Sequence, residues 1–103
     1  MKRFGLFQKS DRTERYEVEY CFEKNYGGLD VMIRSDVDFH RDIYRILDKI
    51  YEDCMLGASN SWIEAKVLKA LKWNREVKSC RVNVEGRKCE IWLSSDPRAF
   101  VGS

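Results

Sequence analysis

Apolar and polar residues alternate near the start of the chain, which predicts a β-strand. From Arg15 to Glu23 every second residue is apolar, and these residues are Tyr16, Val18, Tyr20 and Phe22. A period of two is typical of a strand with one buried face. Asn25-Tyr26-Gly27-Gly28 then provides turn residues, and the alternation resumes at Leu29, Val31 and Ile33. The first unit of the chain is therefore predicted to be a β-hairpin.

An apolar stripe with helical spacing follows this hairpin. Ser35 and Asp38 resemble a capping box at its start, and Gly57 provides a stop at its end. Side chains three and four positions apart form the stripe, and they are Phe39, Ile43, Ile46, Leu47, Ile50, Tyr51 and Cys54. Ser61 and Glu64 match a capping box and predict the start of a second helix. The buried face of that helix is expected to hold Ile63, Val67, Leu68, Ala70 and Leu71.

A period of two returns after Asn74 and predicts a second hairpin. One face of its two strands carries Cys80, Val82, Val84, Cys89, Ile91 and Leu93. A two-residue turn at Gly86-Arg87 sets three cross-strand pairs, which are Val84–Cys89, Val82–Ile91 and Arg81–Trp92. A turn at Glu85-Gly86 would keep the same faces and change the pairs.

Two hairpins with one apolar face each need cover, and two amphipathic helices can provide it. The sequence therefore predicts the α+β class, with a four-stranded antiparallel sheet and two helices packed on one face. Along the chain the order is strand-strand-helix-helix-strand-strand. The 103 residues have the size of a single domain, in which residues 1–13 form a loosely held N-terminal arm and residues 96–103 a C-terminal tail.

Charge is unevenly distributed, although the net charge is only +2. Residues 16–60 hold ten acidic and five basic side chains, whereas residues 61–103 hold five acidic and nine basic ones. Such a polarity can orient a charged partner. No apolar run approaches the roughly 20 residues that span a bilayer, and the apolar stretch at the start is too short for a signal-peptide core. We therefore expect a cytoplasmic protein without membrane contact, whose four cysteines stay reduced.

Catalytic residues are not evident in the chain. A cysteine nucleophile needs a base, and the single histidine, His40, lies fourteen residues before Cys54 on the same predicted helix. That spacing separates the two by about 21 Å. Glycine-rich phosphate motifs are missing as well, so we predict neither an enzyme nor a bound cofactor.

Metal binding is not predicted either, because structural zinc sites need closely spaced ligand pairs. The cysteines stand at positions 21, 54, 80 and 89, and no pair has that spacing. Cys80 and Cys89 would lie close together as cross-strand neighbours, but two thiols filling a core is the simpler interpretation. A group of carboxylates on the first hairpin is interpreted as solvated surface, and its members are Glu17, Glu19, Glu23 and Asp30.

The second helix carries the most informative surface. Opposite its apolar arc lie Trp62, Lys66, Lys69, Lys72 and Trp73. Further basic and aromatic side chains from the following segment could extend this surface, namely Arg75, Lys78, Arg81 and Trp92. Each of the two helix tryptophans could instead turn into the core at a helix end.

We therefore predict a small non-catalytic binding protein, of adaptor or inhibitor type, that contacts a protein partner. Exposed tryptophan and arginine are typical of protein interfaces. The alternative is a nucleic-acid-binding domain, because lysines neutralise phosphates while aromatic rings stack on bases. An exposed edge strand would also allow a homodimer.

Overall fold

The computed structural model describes residues 17–101. The predicted arm at residues 1–13 and the last two residues of the predicted tail lie outside this range. Four strands, a short 3₁₀ turn and two α-helices follow one another as β1 (Tyr20–Tyr26), β2 (Leu29–Ser35), the turn His40–Asp42, α1 (Ile43–Met55), α2 (Asn60–Ala70), β3 (Ser79–Glu85) and β4 (Lys88–Ser94). The α+β class is confirmed.

The sheet is mixed, so the prediction of an antiparallel sheet is wrong. Its strand order is β1-β2-β4-β3, which differs from the order of the strands along the chain. Within each hairpin the strands are antiparallel, but β2 and β4 run parallel, with Ile33 opposite Ile91. Turns fix the pairing inside a hairpin, whereas the pairing between the hairpins depends on the long connection through both helices.

Burial explains why β2 and β4 occupy the centre of the sheet. Every inward-facing apolar side chain of these two strands is buried, and these are Leu29, Val31, Ile33, Cys89, Ile91 and Leu93. In β1 and β3 most inward positions are only half-buried, as at Phe22 and Val84. Placing the more apolar hairpin strands side by side removes the largest apolar area from water.

The two helices cover one face of the sheet. Five residues of α1 are buried in a common core with β2 and β4, namely Ile43, Ile46, Leu47, Ile50 and Cys54. Helix α2 lies against α1 and along β3, and it buries Ile63, Val67 and Ala70. Leu71, directly after α2, is buried as predicted, but Leu68 is 40% exposed, so its predicted burial is wrong.

Side chains of α2 cover the outer edge of β3. Glu64 accepts a hydrogen bond from the Val82 N–H (3.0 Å), and Asn60 accepts one from the Val84 N–H (2.9 Å). The predicted capping box of Ser61 and Glu64 is therefore wrong, because the Glu64 carboxylate bonds the strand instead. Ser59 is the N-cap of α2, and its hydroxyl accepts from the Trp62 N–H. An edge strand whose N–H groups are bonded in this way cannot readily pair with another chain.

The start of α1 also differs from the prediction. Ser35 is the last residue of β2, and α1 begins only at Ile43, so the capping box of Ser35 and Asp38 is wrong. Asp38 accepts from the His40 N–H at the start of the 3₁₀ turn (3.0 Å). The predicted stop is confirmed, since α1 ends at Met55 and the Gly57 N–H donates to the Cys54 carbonyl.

The two hairpins match their predictions to different degrees. In the second hairpin all three expected pairs are present, with Val84 opposite Cys89, Val82 opposite Ile91 and Arg81 opposite Trp92. In the first hairpin the strand was expected from Arg15 to Glu23, whereas β1 spans Tyr20–Tyr26. The chain before Tyr20 still contributes to the core through the buried Val18.

Candidate partner-binding surface

Both tryptophans of the α2 region lie at the protein surface. Trp62, in the first turn of α2, is 55% exposed, and Trp73, in the turn after α2, is 73% exposed. The alternative in which these rings turn into the core is therefore wrong. We call the face formed by Trp62, Lys66, Lys69, Lys72 and Trp73 the α2 outer surface.

One acidic residue, Asp53, contacts the N-terminal end of the α2 outer surface. The Trp62 indole Nε1 donates to Asp53 Oδ2 at 3.2 Å, and Lys66 Nζ lies 3.2 Å from the same oxygen. The Lys66 ammonium is also 5.5 Å from the centre of the Trp62 ring. A single carboxylate from α1 thus fixes the orientation of the indole and neutralises the nearest lysine.

Basic groups dominate the C-terminal end. The Lys72 ammonium lies 5.2 Å from the centre of the Trp73 ring. Within residues 17–101, no ion pair involves any of four neighbouring cations, which are Lys69, Lys72, Arg75 and Lys78. We call these four cations together with Trp73 the cationic end.

A buried contact holds the cationic end in place. The Asn74 side chain donates to the Asp38 carbonyl (3.2 Å) and to Asp42 Oδ2 (3.1 Å) at the start of α1. Asp42 is itself buried and bonded by Arg45 at 2.8 Å. The position of Trp73 is therefore fixed relative to α1 by its neighbour in the chain.

Two of the predicted surface residues, Arg81 and Trp92, lie apart from α2. Arg81 and Trp92 face each other on the side of the sheet that points away from the helices. The Arg81 guanidinium donates to the Phe100 carbonyl (3.1 Å) and stacks near the Phe100 ring. Lys78 is exposed just before β3 and belongs to the cationic end. The alternation along β3 and β4 already placed Arg81 and Trp92 opposite the face that α2 covers.

Sequence reasoning missed two apolar residues near the α2 outer surface. Leu56, in the loop before α2, is 78% exposed, and Leu68 lies between the lysines of α2. Leu56 directly precedes Gly57, the predicted end of the first helix, and this position could have indicated that the Leu56 side chain is exposed. Asp53 was also missed, because its contact with Trp62 joins two helices.

Cys80 and Cys89 are poorly suited to nucleophilic catalysis. Burial, together with the nearby Glu64 carboxylate, raises the pKa of the Cys80 thiol to about 12. A hydrogen bond that Cys89 donates to Cys54, together with burial, raises the pKa of the Cys89 thiol, and the same bond lowers the pKa of Cys54. His40 is engaged elsewhere, since its Nδ1 lies 3.1 Å from Asp38 Oδ1 and its ring stacks on Phe39. Two thiols that stay protonated at neutral pH are weak nucleophiles.

Cys80 and Cys89 are not cross-strand neighbours. Cys80 is opposite Leu93 and Cys89 is opposite Val84, so four residue positions along the strands separate the two cysteines. In the part of the chain that the structure describes, no group of three or more His, Cys, Asp or Glu side chains could hold a metal ion. On the first hairpin, Glu23 and Asp30 are exposed, and Asp30 accepts from the Asn25 amide at 2.7 Å.

Three comparisons with known proteins gave no match. Neither a protein-family model, nor a curated protein, nor a solved structure is similar to this chain. Among residues 17–101, neither helix has the length and apolar character needed to cross a bilayer. The argument for function therefore rests on the α2 outer surface.

Proposed function

We propose that this protein is a non-catalytic binding domain, of adaptor or inhibitor type, that contacts a protein partner through the α2 outer surface. The proposal also places the protein in the cytoplasm, where thiols stay reduced, and all four cysteines are free.

This proposal rests mainly on the exposure of Trp62 and Trp73 on the side of the sheet that the helices cover. Tryptophan buries a large area on contact and is enriched among the residues that dominate binding energy. Trp62 lies in the first turn of α2 and Trp73 three residues after its end, so a partner that covers the length of this 11-residue helix can contact both rings. Leu56, in the loop before α2, and Leu68, on α2, are exposed apolar residues as well. An exposed group of large apolar side chains rimmed by charges is typical of an interaction site.

Nucleic-acid binding is the second candidate, and the cationic end favours it. The Lys72 ammonium lies near the exposed Trp73 indole, and Lys69, Arg75 and Lys78, which are close to it in sequence, also have no ion pair within the described range. Affinity that falls steeply and log-linearly with salt would support this candidate, because it reports the release of counterions from phosphates. A protein interface centred on tryptophans should respond weakly to salt.

A homodimer through an edge strand would have to use β1. The other edge of the sheet is β3, and its N–H groups at Val82 and Val84 are bonded by α2. Such a dimer would leave the α2 outer surface free, so it does not compete with the proposed interface.

The experiment is affinity capture from the native cell with the tagged protein, with and without nuclease treatment of the bound fraction. The wild-type protein should retain a protein partner after nuclease digestion, and the Trp62→Ser/Trp73→Ser variant should lose it. Tyr44→Ser is the matched control, because Tyr44 is an exposed aromatic residue of α1 that contacts Tyr26 on the β1 side of the fold. A partner released by nuclease favours the second candidate, and a partner retained by the tryptophan variant contradicts the proposed surface.

A further inference from the structure

We infer that the cationic end binds an acidic segment of the partner protein, with Trp73 as the apolar anchor. This inference rests on the proposed function and names the chemistry of the partner at one end of the α2 outer surface.

The charges of the α2 outer surface divide into a compensated end and an uncompensated end. At Trp62 the lysine is paired, since Lys66 contacts Asp53 at 3.2 Å. At Trp73 no carboxylate within residues 17–101 pairs with Lys69, Lys72, Arg75 or Lys78. Lys69, Lys72, Arg75 and Lys78 fall within ten residues of the chain, with one acidic residue, Glu76, among them. This stretch therefore carries a net positive charge, which a ligand with carboxylates complements.

The helix dipole explains the positions of only some of these four cations. Lys69 lies in the last turn of α2, where a cation interacts favourably with the helix dipole, and Lys72 follows two residues after the helix ends. Arg75 and Lys78 lie beyond the end of the helix, and the effect of the dipole falls off within the last turn. An anionic ligand that contacts all four cations would explain why they occur in one segment of the chain near Trp73.

The surroundings favour a protein segment over a nucleic acid. A long polyanion that follows α2 from Trp73 towards Trp62 leaves the unpaired cations and meets Lys66, whose charge Asp53 already compensates. A short acidic segment can instead stay at the cationic end. The Lys72 ammonium lies near the Trp73 ring, where it competes with a stacked base. Leu68, directly before Lys69, offers exposed apolar area, which suits the apolar side chains of a peptide.

The test uses a phage-displayed library of random dodecapeptides, selected on the immobilised full-length protein at about 0.15 M salt. We expect the selected peptides to be rich in Asp and Glu and to carry at least one apolar residue. The strongest peptide is then synthesised, together with a version in which every Asp and Glu is replaced by Asn and Gln. Binding of both peptides, and of oligo-uridine as the nucleic-acid probe, is measured by titration calorimetry.

Two double variants provide the matched comparison. Lys69→Glu/Lys72→Glu and Lys24→Glu/Lys88→Glu change the net charge of the protein equally, but Lys24 and Lys88 lie on β1 and β4, away from α2. The first variant should bind the acidic peptide at least about tenfold more weakly, and the second should bind within about twofold of wild type. The neutral peptide should also bind at least about tenfold more weakly than the acidic one.

Several results would overturn the inference. Selection of neutral or basic peptides, failure to select any peptide, or tighter binding of oligo-uridine than of the selected peptide would each do so. Equal losses in the two double variants would show that net charge, and not the cationic end, determines binding. If the selected peptides are neutral but their binding is lost in Trp62→Ser/Trp73→Ser, the inference fails while the proposed function stands.

Discussion

Among the four glycines within residues 17–101, Gly27 is the one where an added Cβ would meet the closest neighbour, so an alanine there tests the packing of the first hairpin. The residue has φ +59°, and an added Cβ would lie 2.9 Å from the Tyr51 hydroxyl oxygen and 3.1 Å from two ring carbons. Gly86, in the second hairpin, has nearly the same backbone conformation with φ +63°, and nothing lies within 4 Å of its added Cβ. Comparing Gly27→Ala with Gly86→Ala therefore separates the energetic cost of backbone strain from the cost of steric contact.

The expected magnitudes follow from these two environments. Gly86→Ala should lower the free energy of unfolding by about 1–2 kcal/mol, the cost of an L-residue in the left-handed region. Gly27→Ala carries the same strain and also displaces Tyr51. The Tyr51 hydroxyl donates to the Gly27 carbonyl at 2.7 Å, and its ring meets Tyr26 edge to face with centroids 5.6 Å apart. A lost hydrogen bond and a disturbed ring pair cost about 0.5–1.5 kcal/mol each, so Gly27→Ala should exceed Gly86→Ala by about 1–3 kcal/mol.

Urea unfolding followed by circular dichroism measures this difference. Repeating both substitutions in a Tyr51→Phe background removes the closest oxygen, so the excess cost of Gly27→Ala should shrink. It should not vanish, because the ring carbons remain near the added Cβ. Equal destabilisation by the two alanines in the wild-type background would refute the argument.

Three further predictions concern the core, the sheet edge and the cysteines. Ile46→Ala should lower the free energy of unfolding in urea by about 2–5 kcal/mol, because Ile46 is fully buried, and an unchanged midpoint would remove α1 from the core. Glu64→Gln keeps an acceptor for the Val82 N–H and should stay close to wild type, whereas Glu64→Leu should cost about 1–3 kcal/mol and promote concentration-dependent association measured by light scattering. Equal stability of the two Glu64 variants would contradict that role. Since the pKa of Cys80 is raised to about 12, iodoacetamide at mildly alkaline pH should label this thiol only in urea, as mass spectrometry would show, and rapid labelling of the folded protein would contradict the burial argument.

Local patterns predicted the second hairpin correctly because its pairing is set by the chain itself. A turn of two residues at Gly86 fixes which residues of β3 and β4 face each other, and Val84 indeed pairs with Cys89. The burial of Ile46 and Ile50 followed in the same way from helical spacing. Such features depend on residues that are near each other in sequence.

Features that depend on distant residues were not predictable in this way. The parallel pairing of β2 with β4 joins residues about sixty positions apart, as with Ile33 and Ile91. Glu64 looked like a helix cap but bonds the Val82 N–H, since the same carboxylate suits either acceptor role. Asp36 likewise lies between two predicted cap residues, yet it accepts from the Ser95 N–H at the end of β4.

The candidate surface was predicted in part. Helical periodicity placed Trp62 and Trp73 opposite the apolar arc, and both rings are exposed. Periodicity could not reveal that Asp53 compensates Lys66, because that contact joins α1 to α2. The division of the surface into a paired end and an unpaired cationic end therefore emerged only from the fold.

Hydroxyl-radical footprinting of the three tryptophans tests the central claim most directly. Trp62 and Trp73 lie on the helical layer, while Trp92 lies on the opposite side of the sheet and serves as an internal control. Oxidation of each indole is compared by mass spectrometry in the free protein and in its complex with the captured partner. The account predicts that the partner slows oxidation of Trp62 and Trp73 and leaves that of Trp92 unchanged. Unchanged oxidation of Trp62 and Trp73 in the complex would contradict it.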